Sequence, residues 1–185
     1  GIFFIREIQI FVGEKGNNLV LITTGLSSIS GKTRQDSIVL LQLSAAEAGS
    51  EKKELFLPEG HKITSSDSTP DLIAMAISLY KEERKNNEEE QTLTVGLLLF
   101  SREEINAFES SGLLPNYYKD LNIISEADKI TALSVHHSGR FVAAGSYGYF
   151  EIYAIFQKEF RLQLRVKIPK ENFLVPILKI YFYPK

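Results

Sequence analysis

Eleven short segments rich in Ile, Val, Leu, Phe and Tyr follow one another along this 185-residue chain. In order they are "REIQIFV", "NLVLITT", "SIVLLQL", "KELFLP", "LIAMAISLY", "TLTVGLLLF", "KITALSV", "RFVAAGS", "YFEIYAIF", "RLQLRVKI" and "PILKIYFY". Gly, Ser, Asn or charged residues close each one, and most are too short to make a helix that buries a face. β-Branched and aromatic side chains in short runs bounded by turn residues read as strands. So many strands predict an all-β fold: a sandwich, a barrel or a propeller. One helix is expected. In "SREEINAFESSG", Ser101 and Glu104 form the spacing of a capping box, and Gly112, with Pro115 just beyond, supplies the stop. This helix occupies an insertion near 101–112. The charged run "KEERKNNEEEQ" between "LIAMAISLY" and "TLTVGLLLF" reads as a solvated hairpin loop.

Composition narrows the function classes. A net charge of −2 provides no clustered basic excess, so no nucleic-acid partner is expected. Zero cysteines exclude disulfides and cysteine-ligated metals, which suits a cytosolic environment. No apolar run approaches the roughly 18 residues of a membrane span, so no membrane segment is expected in this chain. The opening "GIFFIREIQIFV" is broken by Arg6 and Glu7 and reads as a strand, not a signal peptide.

A repeat chooses among the all-β architectures. Aligning "IREIQIFVGEKGNNLVLITTG" with "ITALSVHHSGRFVAAGS" sets Ile5, Ile8 and Ile10 over Ile130, Leu133 and Val135. A polar turn with glycine and a second strand of small and apolar residues follow in both. Near the chain's end, Ile177, Ile180 and Phe182 of "ILKIYFYPK" match the same three positions. The offset of about 47 residues is within the range of one four-stranded propeller blade with a modest insertion.

The stretch "ITALSVHHSGRFVAAGSYGYFEIYAI" resembles a WD-repeat blade: a strand, a Ser-Gly turn at Gly139, a strand of small residues ending in "GS", a glycine turn and a strand ending near "IY". The resemblance gives Gly145 a crowded place near the propeller axis and Gly148 a tight turn between the middle strands. Tyr153, in Ile152-Tyr153-Ala154, stands where the family has its Trp-Asp ending, and Pro184 follows the first strand of a next blade. The chain departs from the family in having no tryptophan and no Gly-His before Ile130, so the family's usual hydrogen-bonded tetrad is missing. Architecture is then part of a WD-repeat-like β-propeller, about two to three blades plus pieces. Residues 1–185 make a single propeller portion, the C-terminal blades of a longer protein, with 45–125 an atypical blade or insertion built around "LIAMAISLY" and "TLTVGLLLF".

Within the WD-repeat proteins the pattern is most similar to the endoplasmic-reticulum exchange factors for Sar-type small GTPases, of the prolactin regulatory element-binding protein type. The extended ending "IYAIFQKEFRLQLRV", the final "ILKIYFYP" and the preceding "NNLVLITT…SIVLLQL" carry this likeness. It implies a guanine-nucleotide exchange factor acting in COPII vesicle formation on the cytosolic face of the endoplasmic reticulum. Its partners would be a Sar-type GTPase and the missing blades of its own propeller. The group's potassium-binding catalytic loop has no match here, so the cofactor would sit in an upstream loop and no catalytic residue carries over. The alternative is a non-catalytic WD-repeat scaffold for protein–protein interaction, cytoplasmic in location.

Other constellations carry less. "GLSSISGKT" ends like a phosphate loop, but five residues separate Gly25 and Gly31 where the loop needs four, and a strand follows instead of a helix. His136 and His137 are neighbours on a strand or its turn; alternation points them to opposite faces, so they are expected to cap a turn, not to bind metal. Glu103-Glu104 favours a helix start, and Glu88-Glu89-Glu90 belongs to the charged loop. Tyr117-Tyr118 with Lys119 reads as a partly buried connection, not a base-stacking platform. No hydrolase or transferase site, no cofactor-binding residue and no metal site is identified.

Overall fold

The computed structural model describes residues 2–11, 18–27, 36–43, 50–85, 88–109, 111–115, 117–124, 129–169 and 175–183. The chain is all-β; the described residues include two short helices, and their strands form three open sheets laid down in succession. The first contains β1 (Ile2–Phe11), β2 (Asn18–Ser27), β3 (Ser37–Leu43) and β4 (Ser50–Phe56) as an antiparallel meander. The second contains β5 (His61–Ser68), β6 (Leu72–Lys85) and β7 (Glu88–Ser101). After β7 come α1 (Arg102–Ala107), β8 (Ser111–Leu113), α2 (Tyr117–Asp120) and β9 (Asn122–Ile123). β8 runs back to pair in parallel with β4 of the first sheet, while β9 completes the second. The third sheet is the meander β10 (Ala132–Val135), β11 (Phe141–Gly145), β12 (Tyr149–Phe156) and β13 (Glu159–Lys167).

The middle sheet is buried on both faces, and the sequence of β6 says why. In a strand, neighbouring residues point to opposite faces. Ile73, Met75 and Ile77 enter one core with Leu98 and Phe100 of β7, together with Ile38, Leu40 and Leu55 of the first sheet. Ala74 and Ala76 face the other way, joining Val95, Leu97 and Leu99 against Leu133, Val135, Val142 and Ala144 of the third. Two carboxylates fasten these layers at the backbone level. Asp36 accepts from the Ile63 N–H at 3.0 Å. Asp67 accepts from the Val135 N–H at 2.6 Å, so β5 and β10 lie side by side.

The strands aligned by the sequence repeat hold equivalent places: β1 and β10 each stand first, at one edge of their sheets. The third copy differs. Residues 176–183 form no strand, apart from a single bridge between Tyr147 and Pro176. They lie against the far face of the third sheet, where the Thr131 hydroxyl donates to Ile177 O at 2.6 Å and the His136 and Phe182 rings meet edge-on at 5.1 Å.

Three local expectations are corrected. The helix runs only over Arg102–Ala107, although its capping box is complete; Phe108 turns extended and packs its ring edge-on against Phe100 at 5.2 Å. Gly112 is therefore a strand residue, at φ 144°, and not a helix stop. The charged run is mostly ladder, with Lys81 to Lys85 paired to Thr92 to Glu88. Residues 45–125 hold β4 of the first sheet and the whole second sheet, including a strand over "HKITSSDS" that its serines and aspartate concealed.

Candidate functional site

Two clefts border the third sheet. The inner one, of about 340 Å³, lies among Ser65–Asp67 of β5, Ala132–Ser134 of β10 and Leu178–Tyr181. The outer one, of about 400 Å³, opens between Asn122–Ile124 on one side and Tyr153, Phe160, Leu162 and Arg165 on the other.

The outer cleft is the more distinctive, because a bulge builds it. Tyr153 pairs with Leu162 and Ile152 with Leu164, so Gln163 is an extra residue in β13. Strict alternation would send Leu162 and Arg165 to opposite faces. With the bulge, Arg165 stands opposite Glu151 while Leu162 stands opposite Tyr153, and both face the cleft. Glu151 is fully buried. Its carboxylate accepts from the Tyr153 hydroxyl at 2.6 Å and from Arg165 Nε at 2.6 Å, with Arg165 Nη2 in contact with the same oxygen as Nε. Burial pushes the Tyr153 phenol well above its ordinary range, and the Glu151 carboxylate adds to the effect against partial opposition from Arg165. Tyr153 thus stays protonated as a donor. Ile123, Ile124, Phe160 and Leu162 line the cleft together with the polar ends of Asn122, Tyr153 and Arg165, and the surface it presents is more polar than apolar.

The cleft's opposite wall is held by Lys158. The tight β12–β13 turn puts Gln157 and Lys158 at φ 48° and 67°. There Lys158 O accepts from the Asn122 side chain at 2.9 Å, and its ammonium reaches Glu104 and, at 3.4 Å, Asp120. Burial alone would raise the Glu104 pKa; the Lys158 ammonium and the Ser101 N–H and hydroxyl outweigh it and hold the carboxyl below its ordinary value. Burial alone would lower that of Lys158, but its two carboxylate neighbours raise it.

The structure spreads the sequence-selected positions through the third sheet. Gly139 sits at φ 67° in the β10–β11 turn, donating its N–H to His136 O at 2.8 Å. Gly148 sits at φ 77° between β11 and β12, the left-handed conformation a glycine accepts without strain. Gly145 is crowded: a Cβ there would lie 2.8 Å from Ile177 and 3.0 Å from Ile180. Tyr153 alone of these lines a cleft. Pro184 lies outside the described residues, as do Gly31, Lys32 and Thr33 of the phosphate-loop-like stretch.

His136 and His137 do not diverge as alternation requires. β10 ends at Val135, and their rings lie together, with centroids 4.0 Å apart. His136 Nδ1 accepts from the Ser138 N–H at 3.2 Å, which makes it a turn cap. Among the described residues no group of three His, Cys, Asp or Glu is placed to hold a metal. No helix among them is long and apolar enough to cross a membrane.

Sequence reasoning missed Glu151, Arg165 and Lys158. A signal existed for the first: one acid two residues before a tyrosine in the otherwise apolar "YFEIYAIF" must be paired if it faces inward. Its partner could not be assigned without knowing the bulge. No protein-family model matches the sequence, and no curated protein matches it either.

Proposed function

We propose that this chain is a section of a WD-repeat-like β-propeller that binds a protein partner, and that the partner is a Sar-type GTPase whose GDP release it promotes. The observation that carries the propeller reading is the succession of three packed sheets, two of which open on the strands that the sequence repeat aligns, β1 and β10. β1, β5 and β10 each begin a sheet, and β5 and β10 are neighbours. Residues 177–182, the third copy, come next beside β10, where a further first strand would stand. A second support is the far face of the first sheet, where Ile5, Ile8 and Ile10 are 55%, 55% and 67% exposed. Those are the residues that a preceding blade would cover.

The exchange-factor part rests on the sequence resemblance. In that reading the propeller favours the nucleotide-free GTPase over the GDP-bound one, and this difference in affinity speeds release. The protein then acts at the cytosolic face of the endoplasmic reticulum in COPII assembly. The test is release of a fluorescent GDP analogue from a Sar-type GTPase by the protein containing this chain. Acceleration is expected; no acceleration at saturating protein removes the exchange function.

The second reading is a non-catalytic scaffold. It is favoured by the chemistry of the outer cleft, whose Tyr153, Glu151 and Arg165 are engaged with one another in an arrangement suited to binding. Stable capture of a protein partner without any change in its nucleotide kinetics is the outcome that selects it.

A further inference from the structure

We propose that His61 and Tyr117 hold one buried water molecule between them, and that this water fixes the wall of the outer cleft. His61, the first residue of β5, is 4% exposed, and Tyr117, the first of α2, is 3% exposed. Their rings meet edge-on, 5.2 Å apart at 88°, with the exposed Tyr118 ring edge-on to both. His61 Nδ1 lies 3.1 Å from Pro58 O and 3.0 Å from Glu59 O. Carbonyl oxygens only accept, so Nδ1 carries the proton and Nε2 presents a lone pair. Neither Nε2 nor the Tyr117 hydroxyl has a hydrogen-bond partner among the described residues.

Buried polar atoms in folded chains nearly always find a partner in protein or ordered water. The two orphans are chemically complementary to one water: it donates to the His61 lone pair and accepts from the Tyr117 O–H. A metal fits less well. An Nδ1–H held by a carbonyl does orient many ligating imidazoles, yet the described residues bring no third ligand here. Burial also pushes the Tyr117 phenol up, with Tyr118 adding to it, which keeps it a neutral donor.

The consequence reaches the cleft through α2. Tyr117 opens this single turn, Leu121 N–H closes it on Tyr117 O at 3.1 Å, and Asp120 and Asn122 then receive Lys158. Leu121 packs into the space left by Gly96, where a Cβ would come within 2.6 Å of it. The water therefore ties the start of β5 to the loop that carries Asn122 and Ile123.

The test combines a crystal structure of the full chain that resolves ordered water with ¹⁵N NMR of His61. Expected are one water within hydrogen-bond distance of both atoms and an Nδ1–H tautomer. Tyr117→Phe is expected to lower the folding constant roughly fivefold and to speed amide exchange at 117–124 more than at 132–145. A direct His61–Tyr117 bond, an Nε2–H tautomer, or a Tyr117→Phe variant more stable than the parent overturns the proposal. The tautomer is read on the unsubstituted protein, so a variant that fails to fold does not shield it.

Discussion

The middle sheet makes two joints, and they are built differently. Against the first sheet it presents large side chains: Ile73, Met75, Ile77, Leu98 and Phe100, filled in by Leu55, Leu57, Ile105 and Tyr117. Against the third it presents the small Ala74 and Ala76 beside Val95, Leu97 and Leu99, and Ala144 comes to meet them among Leu133, Val135 and Val142. The first joint is bulky and mostly apolar, so burial and dispersion, which do not depend on direction, hold most of it, with Asp36 on the Ile63 N–H as a directional contact across it. The second brings backbones closer and has less apolar bulk. Toward its outer end directional contacts cross that joint, namely Lys158 on Glu104 and Asp120 and the Asn122 side chain on Lys158 O, while Tyr153 and Arg165 on Glu151 fix the third sheet's own side of the cleft. Bulk sets the strength of one joint, whereas polar geometry sets the alignment of the other.

The largest effect is expected from breaking the buried pair. Arg165→Leu leaves Glu151 fully buried with only the Tyr153 hydroxyl, and losing one partner of such a pair costs about 3–5 kcal/mol. Urea unfolding measures it. The double replacement Glu151→Leu with Arg165→Met removes both charges and is expected to recover most of the loss, because similar apolar pairs are often neutral or better. A double variant as unstable as the single one would show that packing lost at these two positions, and not an unpaired buried carboxylate, sets the cost.

The two joints should then respond oppositely to side-chain size. Leu98→Ala in the thick joint deletes a fully buried side chain and is expected to cost about 2–5 kcal/mol. In the thin joint the damaging change is enlargement. Ala76→Leu forces extra methyl groups between sheets that already touch, for about 1–3 kcal/mol. Both values come from denaturant midpoints at unchanged m. If Ala76→Leu were neutral, the thin joint would contain slack, and its small residues would not be required by packing.

These differences also explain what the sequence disclosed. Among the described residues, periodicity located ten of the thirteen strands, because "SIVLLQL" or "YFEIYAIF" carries its burial in residue type. It passed over β5, whose Ser65, Ser66 and Asp67 do their work on the polar inner side, and over β8 and β9, which are three and two residues long. It also placed a strand at "PILKIYFY", where the aromatic residues are right and the ladder is lacking. The repeat aligned β1 with β10, and both stand first in their sheets, although Ile130, Leu133 and Val135 are buried where Ile5, Ile8 and Ile10 are exposed. The outer cleft stayed hidden for another reason. Its register depends on the Gln163 bulge, and nothing in "RLQLRV" distinguishes a bulged strand from a regular one. Likewise, no local pattern joins Lys158 to Glu104, 54 residues away.

The smallest expected effect is at the outermost contact, and it sharpens the comparison by its dependence on solution conditions. Lys158→Met removes an ammonium whose side chain is 40% exposed, opposite carboxylates that are 28% and 15% exposed. Solvent screens such contacts, so the cost is about 0.2–1 kcal/mol. Glu104 has a lowered pKa when folded. Its contribution is complete above the unfolded value of about 4.3 and is lost as pH falls through the folded one. Lys158 has a raised pKa, so its contribution is complete below about 10.4 and is lost as pH rises through the folded value. The stability difference between parent and variant should therefore be flat across neutral pH and shrink toward both extremes. It should also fall with added salt, since screening acts over about 8 Å at physiological ionic strength. The Leu98→Ala difference should lack this dependence on salt and pH, since no charge is involved. If both substitutions responded alike, the second joint would owe no more to charge than the first.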